Sequence, residues 1–170
     1  MSKTIALVIA SENFRDEEYF VPKTQLEKAG YTIHTVSSRL GNLKGMLGGT
    51  ALATHLIEGL AVDSYLAVVF IGGSGAKEYF NLAEAHRIAL QAFQNGIIIA
   101  AICIAPIILA NAGILKGKKA TWYKNDNTDL TCQGAIFTGK GVEQDGTILT
   151  ASGPASATDF ARALIRMLKN

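Results

Sequence analysis

Uninterrupted apolar runs of strand length recur along the chain. They fall at residues 5–10 (IALVIA), 66–71 (LAVVFI) and 97–102 (IIIAAI). A half-exposed strand would alternate apolar and polar side chains, so runs without polar interruption predict strands covered on both faces, as in a parallel sheet. Residues 31–36 do alternate and carry β-branched side chains, which predicts one more strand. Helical spacing fills the gaps. Residues 17–29 place Tyr19, Phe20, Leu26 and Ala29 on one side, with Pro22 near the start and Gly30 as the stop. Residues 82–95 form a second helical pattern closed by Gly96, residues 104–112 a third ending at Gly113, and residues 159–168 a last one after Gly153 and Pro154. The glycine-rich stretch 39–54 predicts a loop with a small hairpin or strand, and 125–133 a polar loop or short helix. Residues 119–122, 135–138, 142–143 and 147–151 predict short strands, with a turn at 144–146.

Strand and helix alternate over most of the chain, which implies an α/β fold: a parallel sheet with helices on both faces. Ligand sites in such sheets lie at the carboxyl ends of the strands. Three features fall there: the acidic stretch after Ala10, the glycines after Ile71, and Cys103 directly after Ile102.

Composition narrows the possibilities. A chain of 170 residues fits a single domain, 1–170, and 49% hydrophobic with 18% charged residues favours an ordered core. The net charge is +2 and no basic run stands out, so no nucleic-acid or membrane partner is expected. The longest apolar stretch, 96–110, is broken by Pro106 and is shorter than the ~20 residues that span a bilayer. The amino-terminal run lacks the length and cleavage site of a secretory signal, which predicts a cytoplasmic protein. Two cysteines, Cys103 and Cys132, make neither a disulfide framework nor a metal quartet, and His34, His55 and His86 are dispersed, so no metal and no cofactor are expected.

Cys103 stands between a strand and a helix. A residue there often takes a strained backbone and projects above the sheet. The free N–H groups and dipole of the following helix favour a thiolate, the nucleophilic and oxidisable form. The competing reading is a small buried apolar residue. Gly72, Gly73, Ser74 and Gly75 let backbone N–H groups face a ligand, as an oxyanion hole requires, although the same residues suit a plain tight turn. They lack the third glycine of a dinucleotide fingerprint. Among Glu12, Asp16, Glu17 and Glu18, any one could enter the crevice with a raised pKa, or all could simply stabilise the helix start; spacing does not choose. Cys132 has no motif around it and is read as incidental.

The segment Ala101-Ile102-Cys103-Ile104-Ala105-Pro106, followed by Leu109 and Gly113, resembles the nucleophile elbow of the ThiJ/PfpI superfamily. That superfamily spans PfpI-type intracellular proteases, glyoxalases and deglycases, and the parkinsonism-linked protein. The likeness extends to Glu18 four residues before Pro22, to the paired Gly72 and Gly73, to Lys119 through Tyr123, and to Asp145, Gly146, Leu149, Thr150, Gly153 and Pro154. It implies a flavodoxin-like three-layer α/β/α sandwich with a mostly parallel sheet, a homodimer or higher homo-oligomer, and a stress-related role. Carried over by position, Cys103 is the nucleophile and Glu18 the carboxylic acid beside it. Gly73 and the N–H of Ile104 form the oxyanion hole. Gly72 and Ser74 are expected to shape the pocket, and Trp122 and Tyr123 either line it or pack in the core.

The chain departs from the pattern at the residues that would supply a base. Protease-like members carry histidine after the cysteine, where this chain has Ile104; the branch without it places histidine where this chain has Tyr123. Members that take an acidic residue from a neighbouring subunit do so near Glu78, but the alignment favours Lys77 there. A positioned base contributes ~10²–10⁴ in rate, so peptidase or amidase activity is not expected. The expected function is capture of small reactive carbonyls by Cys103 with Glu18 moving protons. The alternatives are a redox-responsive protein in which an oxidant modifies Cys103, and an inactive structural relative.

Overall fold

A computed structural model describes residues 3–125 and 129–169. In chain order, β1 (Thr4–Val8) leads through a short β2 (Glu12–Phe14) into α1 (Asp16–Lys28). Next come β3 (Thr32–Ser37), a hairpin of β4 (Gly41–Gly45) and β5 (Thr50–Ala53), and β6 (His55–Leu56). β7 (Ala67–Phe70) precedes α2 (Ala83–Gln94), and β8 (Ile98–Ile102) precedes α3 (Pro106–Asn111). The last part holds β9 (Lys119–Ala120), β10 (Ile136–Phe137), β11 (Val142–Asp145), β12 (Ile148–Ala151) and α4 (Ala157–Lys169).

Seven strands form the main sheet in the order β11-β12-β8-β7-β1-β3-β6. Every pairing in it is parallel except β11 with β12. The apolar runs are explained by what covers them. Ala6, Val8, Val68, Phe70, Ile99 and Ala101 face one side, where Ile88, Ala89 and Ala92 of α2 and Ile108 and Leu109 of α3 pack. Ile5, Leu7, Val69, Ile71, Ala100 and Ile102 face the other, against Tyr19 and Leu26 of α1 and Phe160 and Leu164 of α4. Alternate side chains of each strand therefore enter different cores, and no position is left for a polar residue. Each large side chain so buried contributes about 1.5–3 kcal/mol. The result is the flavodoxin-like three-layer α/β/α sandwich.

From β1 the chain steps to β3 on one side and later crosses to β7 on the other. This reversal opens a crevice at the carboxyl ends of β1 and β7, with β8 next to it. β2 adds to the β4–β5 hairpin as a small second sheet beside the crevice, and β9 pairs with β10. Among the described residues no helix is long and apolar enough to cross a membrane.

Some elements differ from expectation. β2 lies where only an acidic stretch was read. α3 begins at Pro106, not at residue 104, because residues 103–105 form a turn and proline occupies the first helical turn. Gln144 and Asp145 are paired strand residues, so the hairpin turn lies at 146–147. Residues 130–133 make a 3-10 turn. Residues 126–128 of the polar segment and the side chain of Cys132 lie outside the described residues.

Candidate active site

Cys103 follows the last residue of β8. Its φ is +65°, in the left-handed region that L side chains rarely adopt. Two backbone bonds hold it there: its N–H donates to Ala151 O of β12 at 2.9 Å, and its carbonyl accepts from Tyr123 N at 2.8 Å. Strand β12 and the segment after β9 thus clamp the turn from both sides, and the thiol is lifted over the carboxyl edge of the sheet.

The acidic residues at the start of α1 take four different roles. Glu12 is exposed on β2. The Asp16 carboxylate accepts from Leu47 N at 2.8 Å and Gly49 N at 2.7 Å, tying down the tip of the β4–β5 hairpin. Glu17 is bound by Arg15, with Nε to Oε2 at 2.8 Å and Nη2 to Oε1 at 3.1 Å. Glu18 is fully buried. Its Oε2 accepts from Gly72 N at 2.9 Å. Its Oε1 is buried without a conventional hydrogen-bond partner, and the Cys103 sulfur lies close enough to perturb its ionisation. Geometry therefore picks out the one carboxyl that spacing left open.

Both glycines are required by close approach. A Cβ at Gly72 would lie 2.5 Å from Glu18 Oε2, 2.7 Å from Cys103 Cβ and 2.9 Å from Ile102 O. Gly73 has φ +101°, and a Cβ there would press on the backbone of residues 13–15. This tight turn aims the Gly73 N–H at the sulfur, and the Ile104 N–H acts on it as well.

A cleft of about 460 Å³ opens over these groups. It is lined by Glu18, Gly73, Cys103 and Ile104, by Ser74 and Lys77 of the 3-10 turn Ser74–Tyr79, and by Arg15, Met46, Tyr123, Asn125 and Pro154. Tyr123 is about half exposed on the cleft rim. Trp122, a candidate for the pocket, is instead buried in the core on the α2–α3 side, its ring centroid 4.6 Å from that of Phe137. Neighbouring residues of an extended segment point to opposite sides, so Tyr123 and Trp122 cannot both face the cleft. Arg15, Met46 and Asn125 were not singled out from sequence and carry no local signal; Pro154 was noted only as part of the resemblance, not as a cleft residue.

None of the histidines lines the cleft. The rings of His34 and His55 stack at 3.8 Å near Tyr65, and His86 Nε2 bonds to Phe80 O at 2.8 Å. Glu78 also turns away, accepting from Ser11 N, Ser11 Oγ and Ser38 Oγ, while Lys77 faces the cleft.

Burial dominates the electrostatics. It pushes the Glu18 carboxyl up to about 7, against the downward pull of the hydrogen bonds with Cys103 and Gly72. The Cys103 thiol is pushed up to about 12, first by burial and then by the charge and hydrogen bonding of Glu18; the Ile104 and Gly73 N–H groups oppose this and lose. The expected stable thiolate is therefore corrected. Two nearby N–H donors cannot offset removal from water beside a carboxyl. Between the two ionisations the pair holds a single proton and a single negative charge.

The DJ-1/PfpI family model matches residues 3–167. The chain belongs to the DJ-1/PfpI family. An uncharacterized protein of Methanocaldococcus jannaschii is 36% identical over 168 residues, covering 97% of this chain and 82% of its own. The deglycase PfpI of Pyrococcus furiosus is 27% identical over 163 residues, 96% of this chain and 98% of its own. Among solved structures, a ThiJ/PfpI domain protein from Brachyspira murdochii superposes with a TM-score of 0.95 at 33% identity, over 99% of this chain and 97% of that one. Drosophila melanogaster DJ-1beta superposes with a TM-score of 0.85 at 25% identity, over 99% and 91%. The three-layer sandwich with its mostly parallel sheet is thus the DJ-1/PfpI fold, and its crevice is where this chain gathers Cys103 and Glu18.

Proposed function

We propose that this DJ-1/PfpI family protein converts small reactive α-oxo aldehydes such as methylglyoxal, using Cys103 as nucleophile and Glu18 as proton carrier. The observation that carries the reading is the buried Glu18 carboxyl, anchored by Gly72 N–H and adjacent to a sulfur that also meets the N–H groups of Gly73 and Ile104. Relatives named deglycases, from Pyrococcus furiosus and Thermococcus kodakarensis, support the same class of chemistry.

The steps follow from the shared proton. The thiol passes its proton to the Glu18 carboxylate as sulfur bonds to the aldehyde carbon. The carbonyl electron pair moves to oxygen, which Gly73 and Ile104 N–H groups hold. Glu18 returns the proton to that oxygen and gives a hemithioacetal. The carboxylate then takes the hydrogen on the same carbon as a proton. The electron pair left behind forms an enediolate with the neighbouring keto carbon; the hydroxyl proton of the first carbon passes to the oxygen of the second, and Glu18 delivers the abstracted proton to that second carbon. The first carbon is oxidised to a thioester and the second reduced to an alcohol, so no external oxidant is needed. Water cleaves the thioester, releasing a 2-hydroxy acid and the thiol. A group titrating near neutrality is suited to both halves of this transfer.

Methylglyoxal consumption with lactate formation tests the proposal. Cys103→Ala and Glu18→Gln should each abolish turnover; a rate unchanged by both sinks it. Peptide hydrolysis receives no support, because no imidazole lines the cleft to activate water or protonate an amine. The redox reading is favoured by one observation, the two N–H donors at the sulfur, which would also hold a sulfinate oxygen. A thiol pushed up to about 12 opposes it, since peroxide attacks the thiolate. Intact mass after mild peroxide, showing oxygen added at Cys103 ahead of Cys132, would favour it over the carbonyl chemistry.

A further inference from the structure

Lys77 and Glu78 are neighbours on one turn but face different surroundings. Glu78 is saturated by Ser11 N at 3.0 Å, Ser11 Oγ at 2.8 Å and Ser38 Oγ at 3.0 Å. Lys77 is exposed, lines the cleft with Cys103, and makes no ion pair among the described residues. The other cation in the cleft lining is Arg15, whose guanidinium is held in two bonds by Glu17. Among the described residues the one carboxyl in the lining is Glu18, which is fully buried. An ammonium without a counter-ion at the mouth of a concave, partly apolar cleft attracts and orients a negatively charged solute.

We infer that the cleft selects carbonyl compounds bearing a second, anionic group, with the carbonyl at Cys103 and a carboxylate or phosphate at Lys77. Lys77 is then the residue that sets specificity. The inference builds on the proposed carbonyl chemistry and narrows its substrate class, from α-oxo aldehydes in general to those carrying an acid. Electrostatic attraction of this kind weakens as salt rises, because the ammonium is solvent-exposed.

The test reads anion preference without requiring turnover. Cys103 is alkylated with iodoacetate or with neutral iodoacetamide, and the products are resolved by peptide mass so that Cys132 is counted separately. The rate ratio of the two reagents, divided by the same ratio for glutathione, should exceed unity about fivefold at low salt and fall on adding salt. Lys77→Glu should invert it, Lys77→Gln should bring it near unity, and Lys77→Arg should keep it. A ratio equal to that of glutathione in the native chain, unmoved by Lys77→Glu, overturns the inference. In parallel, 4,5-dioxopentanoate (methylglyoxal with a carboxylate arm) should be turned over with a higher kcat/KM than methylglyoxal. Protection of Cys103 by acetate or by inorganic phosphate distinguishes the two anionic groups, and protection by neither counts against the inference. If the iodoacetate preference holds but neither dicarbonyl is consumed, the carbonyl reaction falls and the anion selectivity stands. If methylglyoxal is consumed without any preference, the reverse follows.

Discussion

The amide of Gly72 and the carboxyl of Glu18 are fitted to each other: the N–H donates to Oε2 at 2.9 Å, and a methyl group on Gly72 would lie 2.5 Å from that oxygen. The glycine both anchors the acid and leaves the gap through which it reaches the sulfur. Gly72→Ala should therefore push Glu18 and Cys103 apart. Overpacking of this kind costs about 1–3 kcal/mol. We expect a lower urea midpoint together with loss of methylglyoxal turnover. A fully active Gly72→Ala protein would mean that the carboxyl does not need this position.

Glu18 should make stability depend on pH in a direction opposite to a salt-bridged acid. Its carboxyl moves from the ordinary 4.5 to about 7 on folding, chiefly through burial. The folded chain thus holds this proton more tightly than the unfolded chain. The stabilisation is complete below about 4.5 and is lost as pH rises through about 7. The full loss is on the order of 3 kcal/mol. Glu18→Gln has no proton to lose, so it should exceed the native chain in guanidinium midpoint at pH 8 and approach it at pH 5. Equal midpoints at both pH values would refute the assignment of a neutral buried acid.

Cys103 keeps its left-handed backbone whatever its side chain does, because Ala151 and Tyr123 clamp it. An L residue in this conformation costs about 1 kcal/mol that glycine avoids. Cys103→Gly should accordingly melt higher than Cys103→Ala, by about 2–4 °C for a chain of this size, although both lack activity. Identical melting points would show that the turn relaxes once the thiol is gone.

Asp16 governs the hairpin that carries Met46 into the cleft. Its carboxylate receives the Leu47 and Gly49 amides, and hydrogen bonds to a charged group contribute about 1.5–3 kcal/mol each. Asp16→Ala should speed amide exchange at Leu47 and Gly49 and lower stability by about 3 kcal/mol or more. It should also raise the rate of Cys103 alkylation as that side of the cleft loosens. Unchanged exchange at those two amides would place the control of the hairpin elsewhere.

The layers of the fold were legible because three apolar runs admit only strands covered on both faces. The elbow was legible because Cys103 follows such a run directly. The role of Glu18 was not, since α1 buries Asp16 and Glu18 along with Tyr19, Pro22 and Leu26. An apolar side can be read on this helix from Tyr19 and Leu26, but their spacing does not say which of the neighbouring acids is buried with them, and the resemblance to relatives supplied the choice. Trp122 and Tyr123 form an adjacent pair whose division between core and cleft depends on where the short pairing of β9 stops. The thiol was misjudged because helix-end donors can be read along the chain, whereas the water excluded by packing from several elements cannot. Met46, Arg15, Asn125 and Pro154 meet only in three dimensions.

The tie between Asp16 and the hairpin has a consequence for how such a protein can diversify. Asp16 and Glu18 sit on one rigid rod, and Gly45 and Gly49 have no room for side chains against Asp16. Met46 and Leu47 between them remain 41% and 62% exposed. The frame and the acid are thus fixed together, while the tip over the cleft is open to substitution at little cost to folding. A lineage could exchange the molecules it admits by editing two exposed side chains, leaving the reacting pair untouched.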